Sequence, residues 1–232
     1  MTLQLQELNF SLFTKSFNPK IFNVDTLYHG GIIQSDWQLA AEPISSDLGV
    51  KLVFTNKVRI VAQPNRLTFA ETIGNKNLED ILLPFITQRS LQTFSNIEYQ
   101  AVSLNPSAYA RFNSNSQVLQ YLSQGLLAAD SWRTFQDQAI SAVGIKLAYP
   151  NKSGNFYLDI NQANIQISGA TVPAIWFAGN FNYQLEENTD RNNYNLQNIL
   201  NNWRSDVRNF QDFINNKLLN SSATSSVSLF TL

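Results

Sequence analysis

The sequence predicts an α+β protein in which antiparallel β-sheet is covered by a long C-terminal amphipathic helix, with two pseudo-duplicated β-rich units. Three observations carry this. Short alternating or β-branched runs separated by two-residue polar breaks fill the region 50–72, the pattern of consecutive hairpins. Leu196, Ile199, Leu200, Trp203, Val207, Phe210, Ile214 and Leu218 recur at spacings of three and four near the C-terminal end, the stripe of a helix with one buried face. Finally, Gly49 to Lys57 aligns without a gap on Gly144 to Lys152, five of the nine positions being identical. A repeat constrains architecture more than any single propensity.

Taken in order, Leu8, Phe10 and Leu12 alternate with Glu7, Asn9 and Ser11, so 3–14 is expected as a strand with one buried face. The segment 16–31, with Pro19 and the pair Gly30-Gly31, reads as a loop, and 32–41 as a second strand. Strands follow at 50–55, 58–62 and 67–72. Asn77 and the apolar spacing after it predict a helix that Pro84 either kinks or starts late. A strand is expected over 97–104 and a helix over 116–127, on the stripe Val118, Leu119, Leu122 and Leu126. The second half predicts strands at 139–148, 156–160, 164–168 and 174–185, then the helix over 196–218. The chain is expected to form one domain, 1–232, in two pseudo-symmetric halves, 1–133 and 134–219, followed by a flexible Ser-rich tail, 220–232.

Composition narrows the function. Sixteen Lys and Arg balance seventeen Asp and Glu, leaving a net charge of −1 with no block of like charge. Nucleic acid is therefore not an expected partner, because release of counterions by a basic stripe supplies most of that affinity. An anionic membrane surface is disfavoured for the same reason. The chain has no cysteine, which removes disulfides, thiolate nucleophiles and thiolate metal sites together. No apolar run reaches the length that spans a bilayer, and 1–14 does not read as a signal peptide. The expected location is cytoplasmic. Charged residues are only 14% of the chain, whereas asparagines number 28, so the surface must rest largely on amides.

Neither a G-x-G-x-x-G nor a G-x-x-x-x-G-K-[ST] run occurs, so no phosphate cradle and no cofactor are expected. No metal site is expected either, since one histidine and no EF-hand-like loop are present. That histidine, His29, precedes Gly30 and Gly31, which allow close backbone approach. A general base needs an orienting acid and a nucleophile, and the neighbouring sequence offers only Asp25, Ser35 and Asp36. Trp37 follows on the strand expected over 32–41, near a sheet edge. His29 and Trp37 are thus the candidate binding residues, and no catalytic residue is assigned.

The expected function is non-enzymatic binding or assembly through a protein partner, a homo-oligomer or both, since a near-neutral surface resists self-association little. The alternative is a carrier of a small apolar ligand, held between a curved sheet and the 196–218 helix. A third reading is a hydrolase using scattered carboxylates such as Glu71, Glu98 and Asp159.

Overall fold

The computed structural model describes residues 2–128, 130–151, 154–185 and 189–220. The fold is α+β, as expected: a nine-stranded antiparallel sheet, a two-stranded hairpin and a 25-residue C-terminal helix. The sheet contains β1 (Leu3–Thr14), β2 (Ile44–Ser46), β3 (Gly49–Val53), β4 (Val58–Gln63), β5 (Arg66–Thr72), β6 (Tyr99–Arg111), β9 (Gly144–Asn151), β10 (Gly154–Ile167) and β11 (Ala170–Gln184). The hairpin pairs β7 (Thr134–Phe135) with β8 (Gln138–Ala139). Helices are α1 (Val24–His29), α2 (Leu83–Thr93), α3 (Asn115–Gln120) and α4 (Thr189–Phe213). Among the described residues no helix is long and apolar enough to cross a membrane.

Strand order is β2-β3-β4-β5-β1-β6-β11-β10-β9. Outward from the centre this gives β1-β5-β4-β3 on one side and β6-β11-β10-β9 on the other. In chain order each side runs through a central strand, a short helix (α1 or α3), three longer antiparallel strands and a closing helix (α2 or α4), with β2 added before β3 on the first side and the β7–β8 hairpin before β9 on the second. The segments that resemble one another in sequence hold equivalent places, because Gly49 opens β3 and Gly144 opens β9. Lys152, the last residue of the second copy, lies outside the described residues.

The two units join where β1 and β6 pair antiparallel, with Leu8 opposite Pro106 and Asn9 opposite Asn105. Alternation assigns the faces. Leu8, Phe10 and Leu12 on β1, Val58, Ile60 and Ala62 on β4, and Ile175 and Phe177 on β11 are buried on the helix side. On the opposite face Arg59 pairs with Glu7 at 3.2 Å, and the Ser11 and Thr68 hydroxyls lie 3.1 Å apart. Short polar side chains complete that face at the centre. Asn180 donates to Oδ1 of Asn105 at 2.6 Å, and Asn105 donates to Oδ1 of Asn9 at 2.7 Å, a row of amides across three adjacent strands.

Helix α2 packs on β1 and β5, α4 packs on β6, and the two helices touch. Leu196, Leu200, Trp203, Val207, Phe210, Ile214 and Leu218 are all buried, and each such side chain contributes about 1.5–3 kcal/mol on leaving water. The stripe ends in a π-helical turn over Ile214–Leu219. Pro106 lies inside a central strand, where a missing N–H is normally avoided. The β6–β11 ladder pairs Ser107 with Ala178 and resumes at Leu104 with Phe181, so the gap falls at Pro106 and its facing residue Gly179. Phe210 of α4 occupies that place: a Cβ on Gly179 would lie 2.8 Å from its ring and 3.1 Å from Cγ of Pro106.

Glu71 is the one fully buried carboxylate among the described residues. It points from β5 to the start of α2, where its Oε2 accepts from the backbone N–H groups of Leu82 and Leu83 at 2.8 and 2.9 Å. Its Oε1 pairs with Lys76 at 2.6 Å. Both orphan amides of the helix start and the charge are thereby satisfied.

Several expected elements differ in place or kind. The stretch 32–41 is not a strand. Ile32 and Ile33 instead donate to the Leu27 carbonyl and close α1, their apolar side chains being buried for that reason, and only Leu39 bridges to Phe54. The expected loop 16–31 contains a 3-10 turn at Pro19–Ile21 and then α1, each begun by an asparagine side chain, Asn18 and Asn23. Of the two expected effects of Pro84 the late start holds: α2 begins at Leu83 with Pro84 in its first turn, where the absent N–H costs nothing. The helix expected over 116–127 becomes α3 and a π-helical turn, Tyr121–Leu126. The region 139–148 divides into β8 and β9, while 156–160 and 164–168 merge into the single strand β10. Most of the expected tail lies outside the described residues.

Phe210→Ala is expected to cost about 3–5 kcal/mol, and Gly179→Val about 1–3 kcal/mol by overpacking against the same ring, read from denaturant unfolding. Glu71→Ala, which leaves two amides and Lys76 without their acceptor, should cost about 3 kcal/mol, and Glu71→Gln clearly less, because the amide oxygen still accepts.

Candidate functional site

The region of His29 and Trp37 is built by α1. Asn23 accepts from the Thr26 N–H at 2.9 Å and starts the helix, and Gly30 and Gly31 end it, Gly31 with φ of +64°. The closeness that these glycines permit is internal. A Cβ on Gly30 would lie 2.8 Å from Thr93 Cγ2 on α2, and one on Gly31 would lie 3.1 Å from the Arg89 guanidinium. Thr93 also donates to the Gly30 carbonyl at 3.2 Å. The small residues thus let α1 dock on the end of α2.

His29 is exposed and lies beside the Tyr28 ring, 5.3 Å between centroids. Trp37 lies on an irregular segment and packs edge-on against Phe54, 5.2 Å between centroids. With Tyr28, Ile33 and Val24 it lines a shallow depression of about 170 Å³, to which Asp25 and Ser35 also contribute. The structure therefore brings Trp37 together with Tyr28, and His29 is not part of that lining. A larger open depression, about 450 Å³, lies between Thr55, Asn56 and Lys57 on one side and Asn75 and Lys76 on the other. Lys76 is held there by Glu71.

Carboxylates are mostly engaged structurally. Glu7 holds Arg59, Glu71 holds Lys76, and Asp159 faces Lys146 at 3.5 Å. Asp206 on α4 accepts from the Tyr183 hydroxyl at 2.7 Å. Burial pushes the Asp206 carboxyl above its ordinary range, opposed by that hydrogen bond, and burial followed by the neighbouring carboxylate pushes the Tyr183 hydroxyl up. Among the described residues no three of His, Asp and Glu gather as a metal set.

Large apolar side chains reach water at the two ends of the sheet. Ile44 and Leu48, 61% and 82% exposed, flank β2 at one edge. At the other edge Tyr149 on β9 is 38% exposed, and Trp132 and Phe135, the latter on the β7–β8 hairpin, are 43% and 77% exposed. The hairpin turns at Gln136 and Asp137, with φ of 48° and 61°, a backbone that glycine or asparagine normally supplies. Sequence reading passed over Phe135 and Tyr149, because single apolar residues among polar ones look the same whether a strand covers them or not. The positive-φ turn left no glycine to mark it.

Compared with protein-family models and with curated proteins, the chain matches none.

The Asp206 carboxyl yields a pH test. A carboxyl raised in the folded state holds its proton more tightly there than in the unfolded chain. Its favourable contribution is present at and below the ordinary aspartate range, about pH 4, and is lost as pH rises through the elevated value. Asp206→Asn should remove this component, so that the variant's Tm falls less than that of the parent chain between about pH 4 and 7. Thermal unfolding across that range checks it.

Proposed function

We propose that this protein is a non-enzymatic binding and assembly protein that acts through protein–protein contact. The observation that carries the reading is the exposed apolar surface: Tyr149 on β9 at one sheet edge, Ile44 and Leu48 at the other, and Trp132 and Phe135 at the β7–β8 hairpin. Aromatic residues left in water are the side chains that interfaces use as anchors. A two-stranded hairpin by itself is marginal in water, so a partner seated on it would stabilise it as well.

The interior supports this reading over the carrier. Trp203, Phe210 and Phe177 are buried between the sheet and α4, and the depression at Trp37 is smaller than the roughly 300–1,000 Å³ of typical ligand pockets. The structural use of Glu7, Glu71 and Asp159 likewise gives little support to hydrolysis. A cytoplasmic location belongs to the same proposal, supported by a fold that relies on no disulfide. So does an internal duplication, supported by the common connectivity of β1 to α2 and β6 to α4 and by the equivalent places of Gly49 and Gly144. On this reading the unit boundary falls between α2 and β6.

Native mass spectrometry of the untagged protein, recovered gently from its own cells, tests the assignment. The expected result is bare chains in a defined homo- or hetero-complex. A persistent adduct of a few hundred daltons on monomeric chains would replace it with the carrier reading.

A further inference from the structure

The two edges of the sheet are treated differently, although the units that form them share one connectivity. In the first unit the outer strand β3 is covered along its free side by its own chain. Ile44, Ser45 and Ser46 pair with Lys51, Val50 and Gly49. Further along, Ala40 donates to the Val53 carbonyl at 2.8 Å, and Thr55 donates to the Gln38 carbonyl at 2.9 Å. In the second unit β9 holds the equivalent place, and among the described residues no strand pairs with it on the side away from β10. An eight-residue strand thus presents unpaired backbone, which in an open sheet is a template for another strand.

The free groups can be named. Two residues connect β9 to β10, and the pair that closes them is Asn151 with Gly154. In a two-residue hairpin that closing pair is hydrogen-bonded, and the antiparallel ladder alternates. Asn151, Tyr149, Leu147 and Ile145 therefore bond to β10. Gly144, Lys146, Ala148 and Pro150 turn their backbone groups outward, as Gly49 and Lys51 turn theirs to β2. Pro150 has no N–H, which suits an edge and would be misplaced on the paired side.

Building on the assembly reading above, we infer that this edge pairs antiparallel with β9 of a second copy, on a two-fold axis at Leu147. Donor, acceptor and charge complementarity select the register. With the axis at Leu147, Lys146 meets Ala148 of the second copy in a hydrogen-bonded pair, and Gly144 meets Pro150, whose carbonyl accepts. An axis at Lys146 would set two like charges directly opposite, which destabilises a strand pair. An axis at Ala148 would bring Pro150, which has no N–H, opposite Lys146 next to the centre of the pairing, whereas the Leu147 register confines that missing donor to the outermost pairs. The Leu147 register also continues the apolar column of the helix side: Leu147 packs on its own copy, and Ile145 covers the exposed Tyr149 ring of the partner. A near-neutral chain offers little long-range repulsion to this pairing. The contact is at the small end of stable interfaces, so association should rise with concentration into the high micromolar range.

The chain contains no cysteine, so introduced thiols report the register directly. Residues 147 of the two copies would form a non-hydrogen-bonded pair, with Cα atoms about 4.5 Å apart, within disulfide reach. Under mild oxidation Leu147→Cys is expected to cross-link to itself. Ile145→Cys and Tyr149→Cys are expected to cross-link only when mixed. In sedimentation velocity Ala148→Pro, which removes an outward N–H and leaves the β10 ladder intact, should weaken dimerisation at least tenfold without lowering the Tm. Monomer throughout the high micromolar range with no Leu147→Cys cross-link overturns the inference, as does a dimer that Ala148→Pro leaves unchanged. Dimer that forms only after removal of residues 221–232 also overturns it, and points to the chain's own tail on that edge. If monomeric chain is still recovered from cells in a defined complex with another protein, this pairing fails while the assembly reading stands.

Discussion

The pairing of β1 with β6 holds the molecule together. The first unit by itself is a five-stranded and the second a four-stranded antiparallel layer, each with one closing helix, and the central strand of each would be an edge with its backbone groups unpaired. Joining the two central strands removes both edges at once and brings α2 and α4 side by side on one face, where each covers part of what the other leaves bare. The apolar stripe of α4 is buried only because this joint layer is wide enough to receive it.

Close approach at the joint explains residues that look unfavourable by local rules. A proline inside a central strand removes a ladder bond, yet Pro106 faces Gly179, and the room between them takes the Phe210 ring. The ladder gap and the absent side chain are thus offset by a large aromatic burial. Glu71 follows the same logic at the first unit. A buried carboxylate is costly unless its acceptors are filled, and here one oxygen takes Lys76 while the other takes the first amides of α2. The charge fixes where α2 begins and ties that helix to β5. The first device acts across elements far apart in the chain, whereas the second ties β5 to the helix that follows it.

The open face of the sheet and its ends have a different chemistry. Short polar side chains at the centre, including the Asn9, Asn105 and Asn180 row, hydrogen-bond to one another. Few charges are needed to keep this face hydrated, which accounts for a chain rich in asparagine and poor in Lys and Glu. Part of the apolar exposure lies at the two ends, where strands stop pairing, and part on the helices, at Tyr28 and Phe85. The asymmetry between β3, covered by residues 38–46, and β9, bare among the described residues, makes one end a completed edge and leaves the other available.

The amino-acid sequence by itself determined the class of the fold, because class depends on periodicity. Period two over 3–14 and 58–62 and a stripe at threes and fours over 196–218 are local properties, as is the likeness of Gly49 to Lys57 and Gly144 to Lys152. Tertiary structure decided everything that depends on what lies opposite. Ile32 to Ala41 alternates well enough for a strand, but Ile32 and Ile33 found their hydrogen-bond partner in the end of α1. Gly30 and Gly31 looked like a place for a ligand because nothing in the sequence says that Thr93 and Arg89 fill it. His29 and Trp37 are neighbours in sequence, yet only Trp37 lines the depression beside Tyr28, where it packs against Phe54. An edge is the most nonlocal feature of all. Whether β9 is paired depends on the course of every other strand, and hydrogen bonds that a neighbour fails to supply leave no mark on the strand that lacks them.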